Sequence, residues 1–160
     1  MSTSVSHGTF TIERDYPFPV ESVFAAWTTA EAKRGWFAQE EGFIDETARY
    51  ELDFTVGGVE RLEARLANGK RISIETVFHD IQPNERIIAT YEIVLDGRRI
   101  SVSLFSVQLL RTETGTHLVT TEHGAFLDEL DTNEQRQLGA ESDLDGLAKY
   151  LERTAAAPIH

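Results

Sequence analysis

Cysteine is absent from the 160 residues, which excludes a disulfide framework, a thiol nucleophile and a thiolate metal site. Basic side chains are scarce: fifteen Lys and Arg stand against twenty-seven Asp and Glu, a formal charge of -12. Such a charge repels phosphate backbones and anionic lipid surfaces over the Debye range, so neither nucleic acid nor a membrane is an expected partner. There is no run of about eighteen apolar residues to span a bilayer. The opening MSTSVSHGTF lacks the basic start and apolar stretch of a secretory signal, so the cytoplasm is the expected compartment.

Several chemistries have no machinery in the chain. No Gly-rich phosphate loop leads from a strand into a helix, and VGG at 56–58 reads as a turn between strands. No serine sits in a GxSxG elbow. His117 and His123 share a strand face, but six residues of strand rise separate them by about 20 Å, too far to share a metal. His79 and His123 fall on the parity opposite the apolar rows and read as surface or rim residues. The acidic DELDTNE lacks the spacing and glycine of an EF-hand loop and reads as a solvated loop leading into a helix. No cofactor and no metal are expected.

What is present is ordinarily globular, 41% hydrophobic and 26% charged, and suits one domain over 9–155 with flexible termini at 1–8 and 156–160. TFTIERDY alternates apolar Phe10 and Ile12 with polar neighbours, the period of a half-buried strand. Pro17 and Pro19 end it. Val20, Val23, Phe24 and Trp27 then fall on one helical face. Thr28 or Thr29 can cap a second short helix that ends in Trp36 and Phe37.

From about Tyr50 the chain becomes strands punctuated by turns. Asn68-Gly69 and Asp96-Gly97 are hairpin signals whose two central positions favour positive φ. Strands joined so tightly are antiparallel, which gives a meander of six strands, or seven with the first. Beyond Asp128 the period is helical. Asp131 or Thr132 serves as N-cap, Gln135 is placed for a capping box on Thr132, and Leu144, Leu147, Ala148 and Leu151 share a face. An amphipathic helix must bury that face on one side of the sheet, and because a long sheet curves, a hollow can remain beneath the helix.

Strand parity defines the inward rows. Tyr50, Leu52 and Phe54 form one; Leu62, Ala64 and Leu66 the next; then Ile72, Ile74 and Phe78; Ile87, Ala89, Tyr91 and Ile93; Ile100, Val102 and Leu104; and Leu118, Thr120 and Glu122. Polar tips stand out on these rows, since each must be paired, hydrated or offered to a ligand. Tyr91 is either a core ring with its hydroxyl tied to backbone or water, or a proton donor. Glu122 is salt-bridged to Arg14, turned outward by a parity slip, or a ligand group.

The segment RDYPFPVESVFAAWTTAEAKRGWF resembles the opening of the activator-of-heat-shock-protein-ATPase homologue-like group of the START-like, or SRPBCC, superfamily. VGGVERL, VFHDIQPNERIIATYE, GTHLVTTEHGAF and GAESDLDGLAKYL extend the resemblance in order from Ile12 to Leu151. It implies an α+β helix-grip fold, a curved antiparallel sheet around a long C-terminal helix with a pocket between them. Trp27, Trp36, Phe37, Ala140 and Leu144 would then face a ligand from the helical side. Tyr50, Phe54, Phe78, Tyr91, Val102, Leu104, Thr120 and Glu122 would face it from the sheet. Many relatives carry Arg where this chain has Thr55, and Trp where it has Ala140, so the resemblance also implies extra room beside Gly139.

Three functions are consistent with that reading. One is a module binding a small, largely apolar molecule. Another is an enzyme of cyclase, dehydratase or hydrolase type, with Glu122 as base and Tyr91 as proton donor. The third is an interaction domain for a chaperone or for a second copy of the chain, paired as a homodimer.

Overall fold

A computed structural model describes residues 3–37 and 48–156. Among them, β1 (Val5–Tyr16) is followed by two short helices, α1 (Val20–Ala25) and α2 (Ala30–Arg34). Six strands come next: β2 (Arg49–Leu52), β3 (Val59–Arg65), β4 (Arg71–Gln82), β5 (Arg86–Leu95), β6 (Arg98–Thr112) and β7 (Gly115–Leu127). The chain closes on α3 (Asn133–Ala156). The described strands form one antiparallel sheet in the order β1-β7-β6-β5-β4-β3-β2, a meander to which β1 is added beside the last strand. With α3 laid across it, this is the helix-grip fold.

Local chemistry sets the boundaries. Thr29 Oγ1 accepts from Ala32 N and starts α2, while Thr132 Oγ1 accepts from Gln135 N and starts α3. Asp96 and Gly97 both adopt positive φ, as a two-residue hairpin requires. At Asn68-Gly69 only Gly69 does, because the chain there closes a longer loop in which Leu66 N donates to Lys70 O. β1 starts at Val5, paired with Leu127, so residues 5–8 are ladder rather than flexible leader. At its start Gly8 leaves room for Asn133; a Cβ there would lie 2.4 Å from that side chain. Of the tail expected at 156–160, residues 157–160 lie outside the described residues, and α3 runs to Ala156.

The buried residues divide into two clusters. The first joins Phe10, Ile12, Val23, Trp27, Trp36 and Leu118 to the α3 stripe of Leu144, Leu147 and Leu151. The second holds Tyr50, Leu62, Ile72, Ile74, Ile93 and Ile100. Phe37 and Leu52 pack against both, and no described α3 residue belongs to the second. The helix therefore grips one half of the sheet and leaves a seam over the other. α3 is fixed there by Tyr16 Oη, which donates to Leu144 O at 3.0 Å, and by the Tyr150 ring, which takes the space a side chain at Gly35 would need. No described helix is long and apolar enough to cross a membrane.

One inward row departs from simple alternation. Between β5 and β6 the register shifts: Ile93 pairs with Ser101 and Val94 with Arg99, so Ile100 is an extra residue. Such a bulge reverses the parity of everything after it. Val102 and Leu104, expected inward, are 41% and 43% exposed on the outer face, and Ser101, Ser103, Phe105, Val107 and Leu109 take the inner positions.

Candidate functional site

A partly open cavity of about 140 Å³ lies at the seam between the sheet and α3. Trp27, Trp36 and Phe37 wall it from the helical segment before β2, and Gly139, Ala140 and Leu144 from α3. Ile74, Tyr91, Phe105, Val107, Thr120 and Glu122 wall it from the sheet. The lining is thus mainly ring and aliphatic surface, with two polar groups from the sheet and α2 and with Arg136 and Asp143 from α3.

The first polar group spans three strands. Tyr91 on β5 and Glu122 on β7 are separated by β6, whose Ser103 lies opposite Tyr91 and whose Phe105 lies opposite Glu122. A small residue at 103 gives the tyrosine ring room to lean across the intervening strand. Its hydroxyl donates to Glu122 Oε1 at 2.6 Å, and its ring meets Phe105 edge-on with centres 5.7 Å apart. Burial pushes the Glu122 carboxyl up to about 7, although the Tyr91 hydrogen bond and the Arg136 charge pull the other way. Burial and the Glu122 charge raise the Tyr91 hydroxyl well above its ordinary range. Arg14 does not partner Glu122; it lies 3.6 Å from Asp145. Arg136, at the start of α3, pairs with buried Asp131 at 2.8 Å, so Asp131 is a packed residue within the loop expected to be solvated.

The second polar group is one that reading the sequence missed. Lys33 Nζ donates to Glu60 Oε2 at 2.7 Å, with both side chains only 4% exposed. Tyr50 Oη donates to the same carboxylate oxygen. The ammonium also lies 4.9 Å from the ring centres of Trp27 and Phe37 and 5.5 Å from that of Trp36. Lys33 and Glu60 line the cavity, while Tyr50 stands behind Glu60 rather than on the wall. The signals were there. Glu60 has the parity of Leu62 and Ala64, and Lys33 precedes Trp36 and Phe37 by three and four residues on one helical face.

Phe54 and Phe78, expected at the cavity, pack on each other edge-on at 5.1 Å within the first cluster, and neither is a wall residue. Val102 and Leu104 lie outside. Phe105, Val107 and Asp143 are wall residues that simple alternation or helix patterning does not single out, while Thr76 lies on the inward row between Ile74 and Phe78. His79 contacts Thr90, His123 contacts Thr9, and His117 lies between Glu13 and Asp15. Among the described residues no group of three or more His, Asp or Glu side chains is placed to hold a metal.

Comparison with known proteins places this arrangement. No curated protein matches the chain. A protein from Rhizobium leguminosarum, solved at 1.9 Å, is 40% identical with a TM-score of 0.90, over 96% of this chain and 99% of that one. A Rhizobium loti protein is 35% identical with a TM-score of 0.84, over 92% and 99%. The solution structure of an AHSA1-like protein from Aeromonas hydrophila, 19% identical over 96% and 98% with a TM-score of 0.64, shares the fold. Residues 17–152, from just after β1 to the last turn of α3, match the family described as Activator of Hsp90 ATPase homolog 1-like protein, and the chain belongs to that family.

Proposed function

We propose that the protein binds a small, largely apolar molecule in the cavity beneath α3, oriented by the Tyr91 hydroxyl and the Glu122 carboxyl. The observation behind this reading is the cavity itself, about 140 Å³ and walled mainly by aromatic and aliphatic surface, with Tyr91, Glu122 and a few other polar side chains on its lining. Burying roughly 200 Å² of apolar ligand surface contributes about 5 kcal/mol before the cost of immobilisation. The test is native mass spectrometry of protein purified from cells, followed by thermal shift with small apolar compounds. Co-purifying hydrophobic molecules and raised melting temperatures are expected. Empty protein that no such compound stabilises overturns the reading.

A second reading is acid/base catalysis on the bound molecule, favoured by the 2.6 Å contact between Tyr91 and Glu122 inside the cavity and by a carboxyl titrating at about 7. Glu122 takes a proton from carbon and Tyr91 supplies one to an oxygen. Proton–deuterium exchange at the carbons beside a ketone, followed by NMR, tests it. Exchange that rises through neutral pH and vanishes in Glu122→Gln supports the reading, and exchange at the solvent rate removes it.

A further inference from the structure

The cavity has a second polar end whose donors are not fully used. Trp27 is 7% exposed and lines the cavity, yet among the described residues its indole Nε1–H has no hydrogen-bond partner. A buried donor left unpaired is costly, and native interiors rarely keep one without a reason. Trp36, the ring packed edge-on against it at 4.7 Å, has its own Nε1–H bound to Ala26 O at 2.9 Å. Of the two indoles, then, only Trp27 has a donor without a partner among the described residues. Beside it stands Lys33, whose ammonium has three N–H bonds and gives one to Glu60.

The neighbouring charges decide what kind of group can be received there. The ammonium occupies the space between the aromatic rings, so they are not free to hold a cationic ligand. Its charge is already neutralised by Glu60 at 2.7 Å, so an arriving carboxylate would gain little from Lys33 and would be repelled by Glu60. A neutral oxygen with lone pairs and no proton accepts from Trp27 and Lys33 without either penalty.

We propose that Trp27 Nε1–H and Lys33 Nζ form a carbonyl-binding pole, so that the ligand is an apolar molecule bearing a neutral ketone, aldehyde or ester oxygen at the end away from Tyr91 and Glu122. This inference rests on the cavity-binding reading above and narrows its ligand class.

Three probes of nearly equal shape test it: 4-phenylbutan-2-one, 4-phenylbutanoate and butylbenzene, titrated by calorimetry against the full chain and the Trp27→Phe variant. The substitution keeps an aromatic ring but removes the donor together with three ring heavy atoms from a buried wall, so a modest loss of stability is expected and the ratio of ketone to butylbenzene affinity within each chain is the readout. The ketone should bind about five- to tenfold more tightly than butylbenzene, a margin typical of one good hydrogen bond. Trp27→Phe should erase most of that margin, so that the ketone and butylbenzene bind the variant with nearly equal affinity whatever the smaller ring does to both. With a 13C-labelled carbonyl, the bound ketone should show a downfield carbonyl shift in the parent chain, a readout that stands even if the variant fails to fold. Equal binding of ketone and butylbenzene overturns the carbonyl pole and leaves the apolar cavity reading intact. Tighter binding of the carboxylate overturns the pole as well, as does a ketone margin that survives Trp27→Phe. Binding of none of the three overturns both inferences.

Discussion

Lys33 Nζ lies 2.7 Å from Glu60 Oε2 in the interior, joining a five-residue helix to a strand near the sheet edge. The pair explains how α2 stays attached although it contributes few apolar contacts. Its value depends on both charges being present: each alone would be a buried ion without compensation. Lys33→Met is expected to cost about 3–5 kcal/mol in urea unfolding. Adding Glu60→Gln, which keeps an acceptor for Tyr50, should recover at least half of that loss. A single-variant cost below about 1 kcal/mol would show that the pair is more hydrated than its burial implies.

Glu122 gives the fold a pH dependence of definite sign. In the folded chain burial lets its carboxyl hold a proton up to about 7, against an ordinary value of 4.5. Folding is therefore favoured by protonation, and this contribution is complete below about 4.5 and is lost as pH rises through 7. Between pH 4.5 and 8 the folded state should lose up to about 3 kcal/mol from this group. Glu122→Gln should remove that slope, so its stability relative to the parent rises with pH. Parallel stability curves for parent and variant across this range would refute the assignment.

The outer face of β6 should tolerate change that the inner face does not. Leu104 is 43% exposed and Val107 1% exposed, although simple alternation from Ile100 assigns them the reverse. Leu104→Thr is expected to alter stability by no more than about 0.5 kcal/mol. Val107→Thr places a hydroxyl among apolar residues and should cost about 1–3 kcal/mol. Chemical denaturation of the two variants decides between the bulged register and an unbroken one.

That bulge marks the limit of what was legible in the chain. Periodicity, turn chemistry and helix caps gave the element order, because each is a local signal: Thr29 and Thr132 cap the helices they precede, and Asp96-Gly97 turns as its residue types require. The bulge at Ile100 depends on how two strands with different neighbours accommodate each other, and no local pattern announces it. Tyr91 and Glu122 stood out because a polar tip on an apolar row is visible in one strand at a time. Glu60 meets the same criterion beside Leu62, yet a charged residue on a short strand near the sheet edge reads as solvated until α2 is seen to cover it. The meeting of Lys33 with Trp27 and Glu60 depends on three separate segments and emerges only from the packing.

Ala140 offers the most direct control over the cavity. It lies on the α3 wall next to Gly139, where both residues border the cavity, and Ala140 packs at the edge of the cluster that holds the leucine stripe. A large ring introduced there has room to turn into the cavity, which Phe105 and Tyr91 also line. Ala140→Trp should therefore leave unfolding free energy within about 1 kcal/mol of the parent, since added apolar burial offsets the strain of a tighter interior. Binding should respond far more. Affinity for butylbenzene or an environment-sensitive naphthalene dye is expected to fall at least tenfold, because the ring occupies the volume the ligand needs. Undiminished affinity in a variant that folds normally would place the ligand elsewhere on the protein and detach the function from this seam between helix and sheet.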